Sequence, residues 1–267
     1  MRAVALHADV IVFVSEVWQT TCTAVRGGDE GFVIDSPVYP EELRALPDVL
    51  EQAGFPISGL LATHGDWDHL LARTAFPKAS LGAAESTTDR LAGELGEAQR
   101  RLRAFDSEHY VDGRPPLSLG SLQSLPVPGR LEIGSVAGEG HELELHIAEG
   151  HTADGVAYWL PWARALVCGD YLSPVEIPML SPGGSVPAYR ATLTRLEPLL
   201  AEAEWVIPGH GSPQSGERAR DLLAEDDAYL AALAEDPSAA VAPPSRGGSA
   251  TQRHIHQANV AAVTTAG

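Results

Sequence analysis

The 267-residue sequence predicts an α/β protein in which two β-layers meet at one edge. Three observations carry that prediction. Val10, Val12 and Val14 alternate with Ile11 and Phe13, leaving no polar face, so this strand is covered on both sides. The order strand, acidic residue, helix, strand, histidine occurs twice: Gly31 to Asp35 with Leu60 to His64, then Ala165 to Asp170 with Trp205 to His210. Two such halves facing each other bring both acid and histidine ends together, at the strand ends where open α/β sheets place ligands. Hydrophobic residues make up 44% of the chain, enough for a sizeable core.

The elements follow in order. Val4 to Val33 reads as strands, with a hairpin turn at Arg26 to Gly31. Leu43, Leu46 and Leu50 share one face of a helix over Pro40–Ala53, which Pro47 should kink or restart. Ile57–Thr63 is a strand, Leu70-Leu71 opens a short helix, and Ala79–Ala83 is a further strand. Glu85–Arg103 reads as a charged surface helix interrupted at Gly93 and Gly96, and Phe105–Pro128 as a loop rich in proline. His141–Ile147 alternates as a strand with Leu143, Leu145 and Ile147 inward. Gly155–Leu160 and Ala165–Cys168 form a hairpin, and Tyr171–Pro187 is a second long loop. Ala188–Ala203 and Gly216–Ala234 are helices around the strand Trp205–Ile207. Residues 1–236 are expected as one domain and 237–267 as linker and tail, with a short docking helix at 252–263.

The formal net charge of -18 argues against a nucleic-acid partner, whose phosphates require clustered Lys and Arg. Cys22 and Cys168 each sit in an apolar strand, which suggests buried thiols rather than a disulfide framework. No apolar run approaches the roughly 18 residues of a membrane span, and no signal-peptide pattern opens the chain. The expectation is a soluble cytoplasmic protein acting on a small molecule, without a membrane or nucleic-acid partner. The oligomeric state is open, a homodimer included.

Chemistry concentrates at Thr63-His64-Gly65-Asp66-Trp67-Asp68-His69, where an apolar strand ends in two histidines and two carboxylates. Imidazole nitrogen and carboxylate oxygen are ligands for divalent metals. Downstream, Gly150-His151, Gly169-Asp170 and Gly209-His210 each follow a strand, and glycine there lets the backbone bend close to an ion.

This combination resembles the metallo-β-lactamase-fold superfamily over Val10 to Gly211. The resemblance implies a four-layer αββα sandwich of two mixed sheets flanked by helices, and two divalent ions, zinc first, with iron or manganese as alternatives. It assigns one metal to His64, Asp66 and His151, the other to Asp68, His69 and His210, and Asp170 as the bridge. It makes Asp35 an orienting acid and implies a hydroxide nucleophile between the metals. Asp68, Asp35 and Tyr171 are the expected catalytic residues; Trp67, His109, Tyr110 and Tyr171 the expected substrate contacts, with Arg114 also able to reach a ligand.

Asp66 departs from the family pattern, which has histidine there. It either ligates through oxygen, or is too short and leaves the first site weak, or marks lost activity. Two divalent ions, three carboxylates and a hydroxide sum to no net charge, a weaker Lewis acid and a better host for hard ions. The implied function is a binuclear hydrolase of a lactone, thioester, carboxylic ester or small phosphoester. Alternatives are a di-iron redox enzyme, for which the flavodiiron branch sets the precedent, and a binding protein with a degenerate site. β-Lactamase, hydroxyacylglutathione-hydrolase and nuclease subtypes fit less well.

Overall fold

The computed structural model describes residues 1–120, 122–134 and 140–266. Seven strands form the first sheet in chain order: β1 (Arg2–His7), β2 (Val10–Val14), β3 (Thr21–Gly27), β4 (Glu30–Asp35), β5 (Gly59–Leu61), β6 (Ser80–Ala84) and β7 (Leu122–Leu125). β1 to β4 are antiparallel and β4 to β7 parallel. The second sheet contains β8 (Gly129–Ile133), β9 (His141–Ile147), β10 (Val156–Leu160), β11 (Ala165–Val167), β12 (Trp205–Ile207) and β13 (Gln214–Ser215), in the order β13-β12-β11-β10-β9-β8. Among the described residues, only β11 and β12 pair in parallel there.

Three apolar layers define four structural ones. Val10, Val12, Ile34, Leu61, Leu145, Tyr158, Val167 and Ile207 pack between the sheets. Their chain neighbours Phe13, Val33 and Leu60 point the other way, into a core under α1 (Pro40–Gln52), α2 (Ala72–Ala75) and α4 (Glu97–Glu108). Leu166, Cys168 and Val206 face outward on the second sheet, under α5 (Val186–Glu202), α6 (Gly216–Glu235) and α7 (Ala250–Ala266). Strands with two apolar faces are therefore what an αββα sandwich requires.

Several elements differ from the sequence expectation. α1 starts at Pro40 and runs through Pro47. The charged helix is two, α3 (Glu85–Gly93) and α4, separated at Gly96 with φ +80°, and α4 continues to Glu108. The proline-rich segment that follows contains β7, and β8 is an addition to the expected strands. Ile147 is only partly buried. The segment expected as linker and short tail helix carries buried Ala240, Arg246, Gln252, Ile255 and Asn259, and α7 spans 17 residues. Among the described residues, no helix is long and apolar enough to cross a membrane.

Candidate metal centre

The crossovers through α1 and α5 make β4 parallel to β5 and β11 parallel to β12, so their C-terminal ends share an edge. β9 and β11 are both antiparallel to β10 and hence run the same way. Asp35 ends β4; His64 and Asp66 follow β5; His151, Asp170 and His210 follow β9, β11 and β12. A 3₁₀ turn at Trp67–His69 brings Asp68 and His69 round. The two sheets are knitted at this edge by Thr21 N donating to Gly209 O (2.7 Å) and Gly211 N donating to Gln19 O (2.9 Å).

Asp66 Oδ2 lies 3.9 Å from His64 Nε2 and 3.7 Å from His151 Nε2. Asp68 Oδ2 lies 3.7 Å from His69 Nε2 and 3.6 Å from His210 Nε2. Asp170 stands between the groups, with its carboxylate oxygens 3.8, 3.2, 3.3 and 3.4 Å from the Nε2 atoms of His64, His151, His69 and His210. Two tetrahedral ligands at about 2.1 Å from a zinc ion sit roughly 3.4 Å apart, so both groups have ion-sized spacing. All seven residues proposed from the sequence as ligands converge, in two triads and a shared acid.

The donor chemistry fits a cation. His151 Nδ1 donates to the Met179 carbonyl at 2.9 Å, which can only accept. His69 Nδ1 meets Asp35 Oδ2 at 2.9 Å. His64 Nδ1 faces Thr63 Oγ1 at 3.1 Å, whose hydroxyl proton goes to Asp35 Oδ2. His210 Nδ1 faces Thr20 Oγ1 at 3.4 Å, whose proton goes to Val17 O. Each ring thus keeps a proton on Nδ1 and turns Nε2 toward the centre, where it can bind a proton or a metal, as outer partners arrange for metal ligands. The Nε2 atoms of His64, His69 and His151 and Oδ1 of Asp170 are buried without a hydrogen-bond partner, and buried polar atoms are otherwise paired. Gly209 leaves the room required, since a Cβ there would fall 2.1 Å from Asp170 Oδ1.

Burial alone would lower the pKa of His151, but Asp170 and Asp66 push it up to about 9. Burial likewise works against His210, yet Glu176 and Asp170 raise it to about 10. Burial and the neighbouring His69 lower His64. Burial opposes the charge on Asp66, but His151, His64 and Arg90 hold it well below the usual carboxylate range. A site this anionic attracts positive charge, as protons or as metal.

Arg90, on α3, belongs by sequence to a solvated charged face; in the structure it is built into the site. Its Nη2 donates to Asp66 Oδ1 at 2.7 Å and its Nη1 to Asp154 Oδ1 at 2.7 Å. Asp154, only 1% exposed, also accepts from Gly65 N at 2.8 Å. The guanidinium occupies one Asp66 oxygen and leaves the other facing the two histidines. Two neighbouring carboxylates sharing one guanidinium is a spatial signal, and no sequence spacing encodes it.

The expected substrate contacts divide. Trp67 is buried beside the metal-site residues in a wall of rings, packed on Phe105 (5.0 Å between centroids) and Trp18 (5.9 Å). His109 stacks on Phe105 at 4.2 Å and extends this wall outward. Trp18 is an unexpected member: it is 42% exposed, has φ +50° and lies 6.4 Å from the His210 ring. Tyr110 is 90% exposed and is not brought to the centre. Arg114 is engaged with Asp106 and Val38 O. Tyr171 is a correction: its buried hydroxyl donates to Ala148 O at 3.1 Å and accepts from His151 N at 3.0 Å. It holds the His151 backbone and is not free to act on a substrate. Asp35 acts through His69 and Thr63 and does not face the reacting space.

Residues 15–210 match the family model of the metallo-beta-lactamase superfamily. That range includes every residue of the two triads, and the chain belongs to this superfamily. Among curated proteins it is similar to the metallo-beta-lactamase type 2 of Bacteroides fragilis, 27% identical over 125 residues, covering 45% of this chain and 48% of that one. The match thus spans about half of that relative's length. Among solved structures it is similar to a metallo-beta-lactamase from Pontibacter korlensis, with TM-score 0.62, 16% identity and coverage of 84% and 97% of the two chains. A metallo-beta-lactamase family protein from Thermus thermophilus superposes with TM-score 0.65 and 20% identity, covering 86% and 83%. A stereoselective inverting sec-alkylsulfatase from Pseudomonas sp. gives TM-score 0.66 and 16% identity over 88% of this chain and 42% of that one. At these identities the structural likeness is one of fold.

Proposed function

We propose that the protein is a metal-dependent hydrolase that uses two divalent ions, zinc first, to cleave an ester-like bond of a small molecule. The observation that carries this reading is the pair of triads sharing Asp170, with every histidine tautomer set so that Nε2 faces inward. When bound, the ions would supply an activated water and would polarise the oxygen of the acyl or phosphoryl group under attack.

This chain's own groups narrow the substrate. The exposed rings of Trp18 and His109, backed by the buried Trp67 and Phe105, offer an aromatic surface beside His210 suited to an apolar substituent. Glu176 adds negative charge near His210. Arg90, Arg114 and Arg246, on elements around the site, are each engaged with a carboxylate. An anionic substituent therefore finds no free guanidinium among these three. Lactones, thioesters and uncharged carboxylic esters fit this better than phosphoesters do. Cys22 and Cys168 are both free and buried, which accords with a cytoplasmic setting.

The test is elemental analysis of protein purified without added metal, beside Asp66→His, with a lactone, thioester, ester and phosphoester panel assayed before and after chelation. We expect about two metals per chain and turnover that chelation abolishes and zinc restores. A reproducible value near one, raised to two by the histidine, would sink Asp66 as an oxygen ligand. The carboxylate-rich set also suits harder ions. A coloured, iron-loaded protein that consumes oxygen with an electron donor would replace the hydrolase by the redox reading.

A further inference from the structure

We infer that the C-terminal segment is a positioning element of the metal centre, with Asn259 and Gln252 acting as positioning residues for His151. This rests on the metal-centre reading above and goes beyond it, because neither residue lies within the family-matched range or near the ion-sized gaps.

The connection is the stretch from Ser173 to Ser181, between β11 and α5, which has no regular secondary structure. Its backbone groups must find partners elsewhere. On one side it holds the histidines. Met179 O accepts from His151 Nδ1 at 2.9 Å, Ser181 N donates to His151 O at 2.8 Å, and Ser173 Oγ donates to His210 O at 2.7 Å. On the other side it is held by the tail. Arg246 Nη1 donates to Ser173 O (3.0 Å) and Glu176 O (2.8 Å). Gln252 Oε1 accepts from Ile177 N at 2.8 Å. Asn259 Oδ1 accepts from Leu180 N at 2.9 Å while its Nδ2 donates to Pro178 O at 2.6 Å.

Asn259 therefore grips the residues on either side of Met179, the residue whose carbonyl orients His151. Its amide offers an acceptor and a donor at once, which both loop groups require. Asn259 is completely buried, Gln252 and Arg246 nearly so. Packing α7 against the domain needs only apolar residues such as Ile255. Three buried polar side chains directed at one loop carry a desolvation cost that is offset only in the seated arrangement. Releasing the loop withdraws the Met179 carbonyl and frees the His151 ring to turn its Nε2 away.

The experiment follows transfer of zinc from the loaded full-length chain to an excess of chromophoric chelator. Asn259→Ala and Gln252→Ala are compared with Gln252→Glu, which keeps an accepting oxygen, and with Leu50→Ala. Leu50 is buried in the core on the opposite side of the molecule and serves as a stability control. We expect zinc loss about tenfold faster for the two alanine variants of the tail, the low end of the effect of removing an outer partner of a ligand. Gln252→Glu should return near the wild-type rate, and Leu50→Ala should melt earlier yet release zinc as the wild type does. Unchanged release from the tail variants, or equal acceleration by Leu50→Ala, overturns the inference and leaves the metal reading standing. A wild-type chain that takes up no zinc removes both.

Discussion

Asp35 shows how one side chain can govern a centre it does not face. Oδ1 accepts from Thr63 N at 2.8 Å, and Oδ2 accepts from Thr63 Oγ1 at 2.8 Å and from His69 Nδ1 at 2.9 Å. Its φ of +59° is tolerated better by Asp than by most residues. Asp35→Ala should lower zinc affinity by roughly 10–100-fold, read by competition with a chelator of known affinity; an unchanged affinity would remove its orienting role. Arg90 lies between Asp66 and Asp154, and its loss leaves two largely buried carboxylates without the guanidinium they share. Arg90→Ala should cost the metal-free chain about 2–4 kcal/mol in urea unfolding with chelator present, and less once zinc is bound. A loss below about 0.5 kcal/mol, the range of ordinary surface changes, would show that the pairing is incidental. The seven clustered histidines and aspartates are readable from the chain because four of them crowd the stretch after β5 and the other three each follow a strand end and a glycine. Arg90 is not, because a lone arginine on a charged helix looks like solvated surface until the fold sets Asp66 and Asp154 beside it.

Glu42 plays a comparable part for the first helix. From the opening turn of α1 it accepts from Ser15 Oγ (2.6 Å), Glu16 N (2.9 Å) and Tyr39 N (3.0 Å), tying the helix to the segment that leads to Trp18. Burial opposes its charge, but these donors outweigh burial and depress its pKa below the ordinary glutamate value. A depressed acid stabilises the fold above its unfolded pKa, and that contribution is lost as pH falls through the folded value. Glu42→Gln should therefore cost about 1–3 kcal/mol at pH 7, and the difference from wild type should shrink as the medium is acidified below about pH 4. Denaturant titrations at several pH values measure both effects; a pH-independent difference would assign the loss to packing. Element boundaries are legible where the period is clean, as in β2, β9 and α1. β7 and β8 are not, because Leu122–Leu125 and Gly129–Ile133 are short, half-exposed edge strands with too few apolar residues to set a period, and β7 pairs with β6, which precedes α3 and α4 in the chain.

Tyr158 ties the two sheets together. It is fully buried between them, and its hydroxyl donates to Ala62 O at 3.0 Å, just before the first ligand. Tyr158→Phe leaves that carbonyl without its donor and should cost about 1–3 kcal/mol, with a correspondingly lower melting temperature for the whole chain. A change under about 0.5 kcal/mol, the range of ordinary surface changes, would mean that the carbonyl finds another partner. Val156 N donating to Thr63 O at 2.7 Å makes a second tie at the same height. Motion of one sheet against the other therefore acts on the link between β5 and His64.

Residue type and order were sufficient for the fold class and for naming the histidines and aspartates that the fold gathers at one edge. Apolar alternation forces strands into a covered layer, and histidine or aspartate after a strand end can only project from that layer's edge. The fate of Asp66, Tyr171 and the tail depended on what lies within a few ångströms in space. A carboxylate's behaviour turns on a guanidinium 2.7 Å away, and a hydroxyl's role on whether its hydrogen bonds are already made. A segment rich in Ala, Pro and Gly reads as a linker from composition. It becomes part of the core here because Arg246, Gln252 and Asn259 supply the hydrogen bonds that an irregular loop cannot make for itself.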